Sequence, residues 1–345
     1  MNAHRAEAHP RADSTITVKS YAKINLSIDV LGRLPNGYHS IRTVMQQVDL
    51  FDTVSVSVRE DGAGARVAPA AESAGKGARI ALSAESAGVD IAELPTDGRN
   101  AAARAAQVFF EEFAPQFCGG VGIRLRKRVP LAAGLAGGSG NAAAVLLALA
   151  RLWALRGAPN APGGAAVHME KLMELGSRIG ADVPFCILGQ AALNRELGFA
   201  ESGAAACALA EGVGERLTAL PSLRGFVILL KPAVSVSTAA VYAGLDLSAI
   251  AKRPDTDGIV AGLRTGDCGK IRKNMINVLE IPVLKEYPEI ADAKARLSAD
   301  GNAECALMSG SGSSVFAWYR DRTACEAAFK TLRRGENDVF MAKLL

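Results

Sequence analysis

Between Val129 and Leu149 the chain reads VPLAAGLAGGSGNAAAVLLAL: a proline, the glycines Gly134, Gly137, Gly138 and Gly140 around Ser139, and an apolar run with no spacer. Few folds can use such a stretch. Glycine admits positive φ and close approach of the backbone to a ligand. A helix starting directly behind it offers unpaired N–H groups and the positive end of its dipole, a seat for phosphate. No Lys-Ser/Thr follows the last glycine and G-x-G-x-x-G does not occur, so this is neither a Walker A loop nor a dinucleotide fingerprint. Val129–Ala150 is uncharged and long enough to cross a bilayer. Its first half is glycine-rich and polar at Ser139 and Asn141, so a loop feeding a buried helix is expected, with no membrane span.

The chain of 345 residues is long enough for two domains. A net charge of +4, with basic residues interleaved with acids, gives no stripe for a nucleic-acid partner. Six scattered cysteines form no CxxC pair, which predicts neither disulfides nor structural zinc and fits a reducing, cytoplasmic setting. Met1–Ser14 lacks the apolar stretch of a signal peptide and reads as a frayed terminus.

Thr15–Val30 and Val44–Val58 read as strands, separated by the turn signal of LGRLPNGYHS (Leu31–Ser40). The Gly/Ala/Ser-rich stretch Gly62–Gly98 reads as loops around a strand at Ala78–Leu82. Helical spacing covers Ala101–Phe113, and alternation predicts a strand at Val121–Val129. Helices are expected over Ala142–Leu155 and, after a Pro/Gly linker (Gly157–Gly164), over Val167–Ile179. Ala-rich Asn194–Leu209 carries little signal. Then come a strand at Arg224–Leu230, several helices within Thr238–Ser298, a second glycine cluster running into the strand SVFAWY, and a last helix at Arg322–Arg333. Strands and helices do not follow the βα period of a doubly wound sheet, so the class is α+β.

Three segments together resemble the galactokinase–homoserine–mevalonate–phosphomevalonate (GHMP) kinase superfamily: SYAKINLSIDVLGRLPNGYHSI (Ser20–Ile41), the glycine loop, and LMSGSGSSVFAWY (Leu307–Tyr319). AKINL (Ala22–Leu26), NGYH (Asn36–His39), GADVPF (Gly180–Phe185) and EGVGERLTAL (Glu211–Leu220) are similar to one branch of it, whose substrate carries a cytidine diphosphate group. The resemblance implies a two-domain α+β fold: an N-terminal ATP-binding domain over 14–193, a C-terminal ferredoxin-like domain over 194–335 and a tail over 336–345, with the active site in the cleft between the domains.

It also implies an activity, transfer of the γ-phosphoryl group of ATP to a substrate hydroxyl. That chemistry asks for alignment, charge stabilisation and a proton acceptor. The resemblance makes Asp182 the base and Lys23 its cationic partner. It places Asn100, Lys127, Pro130, Gly134, Leu135, Ala136, Gly137, Gly138, Ser139, Gly140 and Asn141 at ATP, and Asn25, Tyr38, His39, Thr238, Tyr242 and Gly310 at the substrate, with Tyr38, His39 and Tyr242 around the cytosine. Mg²⁺ is expected to ride mainly on the phosphates, with its protein ligands unassigned. Neither a nucleic acid, a membrane nor an obligate protein partner is expected. The family loop usually has Ser or Thr where Gly140 stands, which removes a hydroxyl that could have touched phosphate or metal. The tracts Arg66–Ala92 and Asn194–Leu209 exceed the family pattern. A kinase for mevalonate, homoserine or a sugar is the alternative enzyme; a binding protein that lost the chemistry is the alternative outside catalysis.

Overall fold

The computed structural model describes residues 14–35, 37–59, 78–155, 168–199, 203–333 and 338–345; the linker at 157–164 and much of the tract at 66–92 lie outside them. The frame is one long antiparallel pair, β1 (Thr15–Arg33) with β2 (His39–Arg59). On its other edge β2 pairs first with β5 (Cys207–Gly212) and further along with β4 (Gly120–Lys127). A parallel strand β3 (Arg79–Ser86) flanks β4, and β6 (Arg216–Leu220) completes a hairpin with β5.

Alternation in DTVSVSV turns Val54, Val56 and Val58 inward, where α1 (Ala101–Phe113), α2 (Gly137–Leu155), α3 (Met169–Ser177) and α4 (Val183–Leu193) cover them. Helix α1 begins at Asn100, whose side chain caps it, and packs Ala102, Ala105, Ala106 and Phe109 inward at helical spacing. Helix α2 is long and apolar enough to cross a membrane, yet it is buried without a break from Gly140 to Ala150 inside this layer. An apolar surface all round suits a helix with neighbours on every side. Each buried leucine there contributes about 1.5–3 kcal/mol.

The second sheet has the order β10–β7–β9–β8, from β7 (Phe226–Leu230), β8 (Cys305–Met308), β9 (Val315–Tyr319) and β10 (Val339–Lys343), all antiparallel. Helix α9 (Pro288–Ser298) precedes β8 and α10 (Arg322–Leu332) joins β9 to β10, the ferredoxin-like arrangement expected. Helices α5 (Thr238–Ala243), α6 (Thr256–Thr265), α7 (Cys268–Asn274) and α8 (Glu280–Glu286) fill the connection from β7. A shared core joins the sheets: Ile24, Leu26, Val44 and Val48 of the first meet Val227, Leu229, Phe316 and Trp318 of the second.

Three expectations change. The division at residue 194 gives way because β5 and β6, at 207–220, pair onto the first sheet. The tail at 336–345 is no tail: Val339–Lys343 pairs with β7, and Leu345 N–H donates to the Gln47 carbonyl at 3.1 Å while its own carbonyl accepts from Gln46 Nε2 at 2.9 Å. Helix α2 starts at Gly137 rather than Ala142, so the last three loop glycines belong to its first turn.

Removing 334–345 deletes an edge strand and uncovers Gln46, so a chain ending at Arg333 should melt at a clearly lower temperature than the full chain. Circular dichroism measures this; equal melting temperatures would contradict the structural role of the last strand.

Candidate active site

A cleft of about 920 Å³ opens where β1, the start of α2, the 180–182 turn and α5 converge with the 309–312 loop of the second sheet. Strand β1 breaks register with β2 between Tyr21 and Lys23 and again between Asn25 and Ser27, so irregularities bracket the AKIN segment. Such bulges re-aim side chains beside active sites. Lys23 (3% exposed) reaches Asn25 Oδ1 with its ammonium at 2.7 Å and stands 3.6 Å from Asp182 Oδ2. Asp182 occupies the N-cap position of α4, but its backbone is helical and its side chain makes no capping bond. The carboxylate therefore points at Lys23 and the cleft rather than at its own helix. Beneath it lies Cys186, whose thiol is pushed well up by burial and then by the charge of Asp182, with Lys23 pulling the other way.

Two glycine loops meet back to back. Gly134 (φ 70°) has no room for a Cβ, which would lie 2.2 Å from the Ser309 carbonyl oxygen and 2.7 Å from that of Gly312. Ser309 Oγ donates to the Gly134 carbonyl at 3.0 Å, and Lys23 N–H donates to the Leu135 carbonyl at 3.1 Å. Ala136 holds a left-handed φ of 56°, a strain of about 1 kcal/mol or more, and from there the chain turns into α2. The N–H groups of Gly137, Gly138 and Ser139 head that helix and have no acceptor within it. Gly134, Ala136 and Ser139 line the cleft, while a Cβ on Gly138 would meet no protein atom within 4 Å.

The remaining residues expected at ATP lie beneath this loop or beside it. Lys127, 1% exposed, donates to Asp52 and, at 3.0 Å, to Asn141 Oδ1. Asn141 Nδ2 in turn donates to Asp52 Oδ2 at 2.9 Å and to Ser20 Oγ at 3.0 Å. The side chains of Lys127 and Asn141 are thus engaged in the protein interior and are not offered to the cleft. Asn100 accepts from Ala102 N–H and donates to the Pro95 carbonyl, so it caps α1. Pro130 and Leu135 are buried. Gly140 faces β1: a Cβ there would lie 2.7 Å from Ser20 Oγ. A side chain at 140 would therefore start toward Ser20 and Gln190 in the protein interior, and Gly140 is not among the residues that line the cleft.

The residues expected at the substrate belong to the same cleft, with Asn25 and Gly310 beside Lys23. Asn25, Tyr38, His39, Thr238, Tyr242 and Gly310 all line it. The rings of His39 and Tyr242 already stack on each other, centroids 5.0 Å apart, so they form a platform and not an open slot. Burial, then the charge of Asp182, pushes the Tyr242 phenol to about 12 and keeps it neutral. Thr238 Oγ1 and Ser311 Oγ lie 2.8 Å apart across the cleft. Ser311 was not foreseen, nor was Asp52, although Asp52 shares the inward parity of Val54 and Val56.

Comparison with known proteins finds relatives over almost the whole chain. The sequence profile of the GHMP kinases N terminal domain matches residues 100–190, and that of the GHMP kinases C terminal matches 259–337. The 4-diphosphocytidyl-2-C-methyl-D-erythritol kinase of Alkaliphilus metalliredigens is 39% identical over 318 residues, covering 92% of each chain. The enzyme of the same name from Acetivibrio thermocellus is 36% identical over 332 residues, covering 96% of this chain and 99% of its own. A crystal structure of 4-(cytidine 5'-diphospho)-2C-methyl-D-erythritol kinase superposes with a TM-score of 0.69 at 28% identity, over 95% of this chain and 99% of its own.

Gly140→Ser tests the packing under the loop. Forcing Ser20 aside costs about 1–3 kcal/mol by overpacking, against a helix-propensity gain of about 0.5 kcal/mol, so the variant should be less stable in urea. Adding Ser20→Ala should recover part of that loss. Losses that simply add would mean that the two side chains do not compete for the same space.

Proposed function

The chain belongs to the GHMP kinases and, within them, to the 4-diphosphocytidyl-2-C-methyl-D-erythritol kinase family, and we infer from this and from the cleft that it phosphorylates the 2-hydroxyl of 4-diphosphocytidyl-2-C-methyl-D-erythritol with ATP. That makes it a phosphotransferase with an alcohol acceptor, acting in the non-mevalonate route to isoprenoid precursors. The observation that carries the reading is the Lys23 ammonium 3.6 Å from an uncapping Asp182 carboxylate, set between the glycine loop and the His39–Tyr242 platform.

In this reading the phosphates of ATP lie on the N–H groups that head α2, where the dipole favours negative charge. Asp182 accepts the proton of the substrate hydroxyl as that oxygen attacks the γ-phosphorus, and ADP leaves from the opposite side. Lys23 offsets charge on the transferring group, and Asn25 fixes its ammonium. Mg²⁺ suits the site: phosphate oxygens would supply most of its ligands, and Ser139, which lines the cleft at the head of α2, would offer a further hard oxygen. When bound, it neutralises phosphate charge. A cleft of about 920 Å³ is at the upper end of small-molecule sites and has room for a nucleotide-linked alcohol. The base stacks on the exposed side of the His39–Tyr242 pair or parts its rings.

Asp182→Asn removes the proton acceptor and keeps the shape, so kcat should fall by roughly 10²–10⁴ with ATP binding little changed. Near wild-type turnover in a coupled ADP assay would exclude Asp182 as the base. Tyr242→Ala removes half of the platform and should raise KM for the cytidylyl substrate roughly 5–150-fold, on the scale of about 1–3 kcal/mol for a base-stacking aromatic. KM for ATP should stay put. CDP should compete with the substrate in the wild type; if it does not at millimolar levels, the cytosine reading is wrong.

A further inference from the structure

Asn277 sits in the turn between α7 and α8, 2% exposed and away from the cleft lining, yet its side-chain amide ties together the wall of the cleft. Its Nδ2 donates to the Met308 carbonyl at 2.9 Å and to the Gly310 carbonyl at 2.8 Å, and its Oδ1 accepts the Leu279 N–H at 3.0 Å. The neighbouring backbone brackets β1: Ile28 N–H donates to the Ile276 carbonyl at 3.0 Å and Val278 N–H to the Ile28 carbonyl at 3.1 Å. Gly310, held in this way with φ 59°, donates its own N–H to Asn25 Oδ1 at 3.0 Å. The same oxygen receives the Lys23 ammonium at 2.7 Å. Asn25 is steadied from the other side by donating to Thr43 Oγ1 at 2.8 Å. A continuous set of hydrogen bonds therefore runs from Asn277 through Gly310 and Asn25 to Lys23.

We propose that Asn277 is a positioning residue for phosphoryl transfer: it fixes the Gly310 amide so that Asn25 aims the Lys23 ammonium at Asp182. The role rests on Lys23 and Asp182 being the reacting pair. Its chemistry suits it, because a planar amide can donate to two carbonyls and accept one N–H at once, which neither a carboxylate nor a hydroxyl can do. Displacement of a reacting group by about 1 Å can cost on the order of 10² in rate even when the altered residue is remote.

Asn277→Asp keeps the acceptor for Leu279 and sets a carboxylate oxygen against two carbonyls. We expect kcat to fall about 10–100-fold with KM for ATP changed less than about threefold. Leu263→Ala, a buried truncation in α6, serves as the control for lost stability and should lower the melting temperature while leaving kcat unchanged. The deciding measurement is a double-mutant cycle with Asn25→Ser, because residues that act through one another do not add. Once Asn25 is altered, adding Asn277→Asp should lower kcat by less than about threefold more. Fully multiplicative losses, or an Asn277→Asp enzyme with unchanged kcat, overturn the proposal. If Asn277→Asp does not fold, Asn277→Ser taken through the same cycle decides. Asp182→Asn measured alongside separates the two levels. If it turns over normally, the reacting pair is wrong and the proposal falls with it; if it is inactive while the losses multiply, only the role of Asn277 is lost.

Discussion

The buried carboxylate of Asp52 is the point from which the nucleotide end of the cleft is built. It is fully buried and accepts four hydrogen bonds: from Lys127, from Asn141, and from the N–H groups of Arg128 at 2.7 Å and Val129 at 2.8 Å. These donors come from the end of β4, the turn that follows it and the first turn of α2, while Asp52 itself belongs to β2. A charge taken out of water is tolerated only when its lone pairs are all used and a counter-charge is present, and both conditions hold here. The first turn of α2 is thereby anchored to the sheet from below, while its upper amides stay open to a ligand.

The second dependence is the contact between the glycine loops. Gly134 belongs to the layer that carries the nucleotide seat, and the 309–312 loop belongs to the ferredoxin-like sheet. They touch so closely that no side chain fits between them. The apolar core shared by the two sheets brings them to this distance, and Ser309 and Asn277 fix the orientation. Neither sheet alone holds a complete cleft: Lys23 and Asp182 come from one, and Gly310, Ser311 and the α5 aromatic from the part of the chain that builds the other.

Much of the site was legible because its chemistry is local in sequence. AKINL, NGYH, GADVPF and the two glycine clusters each place their residues within one turn, and the lining residues they supplied stand together in the cleft. What could not be read locally was which loop residues face a ligand. Lys127 and Asn141 carry polar groups suited to a nucleotide, but their partner is a carboxylate some 75 to 89 positions earlier in the chain. Asp52 did leave a signal, an acid on the buried parity of an alternating strand. Asn277 left none, since its acceptors lie 31 and 33 residues further on. Helix α4 escaped because VPFCILGQAAL is buried along its length and shows no 3.6-residue period. The β5–β6 hairpin was hidden by the alanine-rich stretch before it.

Asp182 shows how lightly the fold holds its own chemistry. A helix start commonly employs an acidic side chain to satisfy its first amides, worth about 1 kcal/mol. Here that bond is not made, and α4 begins with Pro184 in its first turn, which has no N–H to satisfy. The helix itself therefore asks nothing of residue 182; within the fold, an acid there answers the buried Lys23 ammonium 3.6 Å away. Chains sorted for heat resistance alone could exchange the acid and the ammonium together for uncharged side chains and keep every strand in place. In distant relatives of uncertain role, this position is where a protein that retained the architecture and fell silent would first reveal itself.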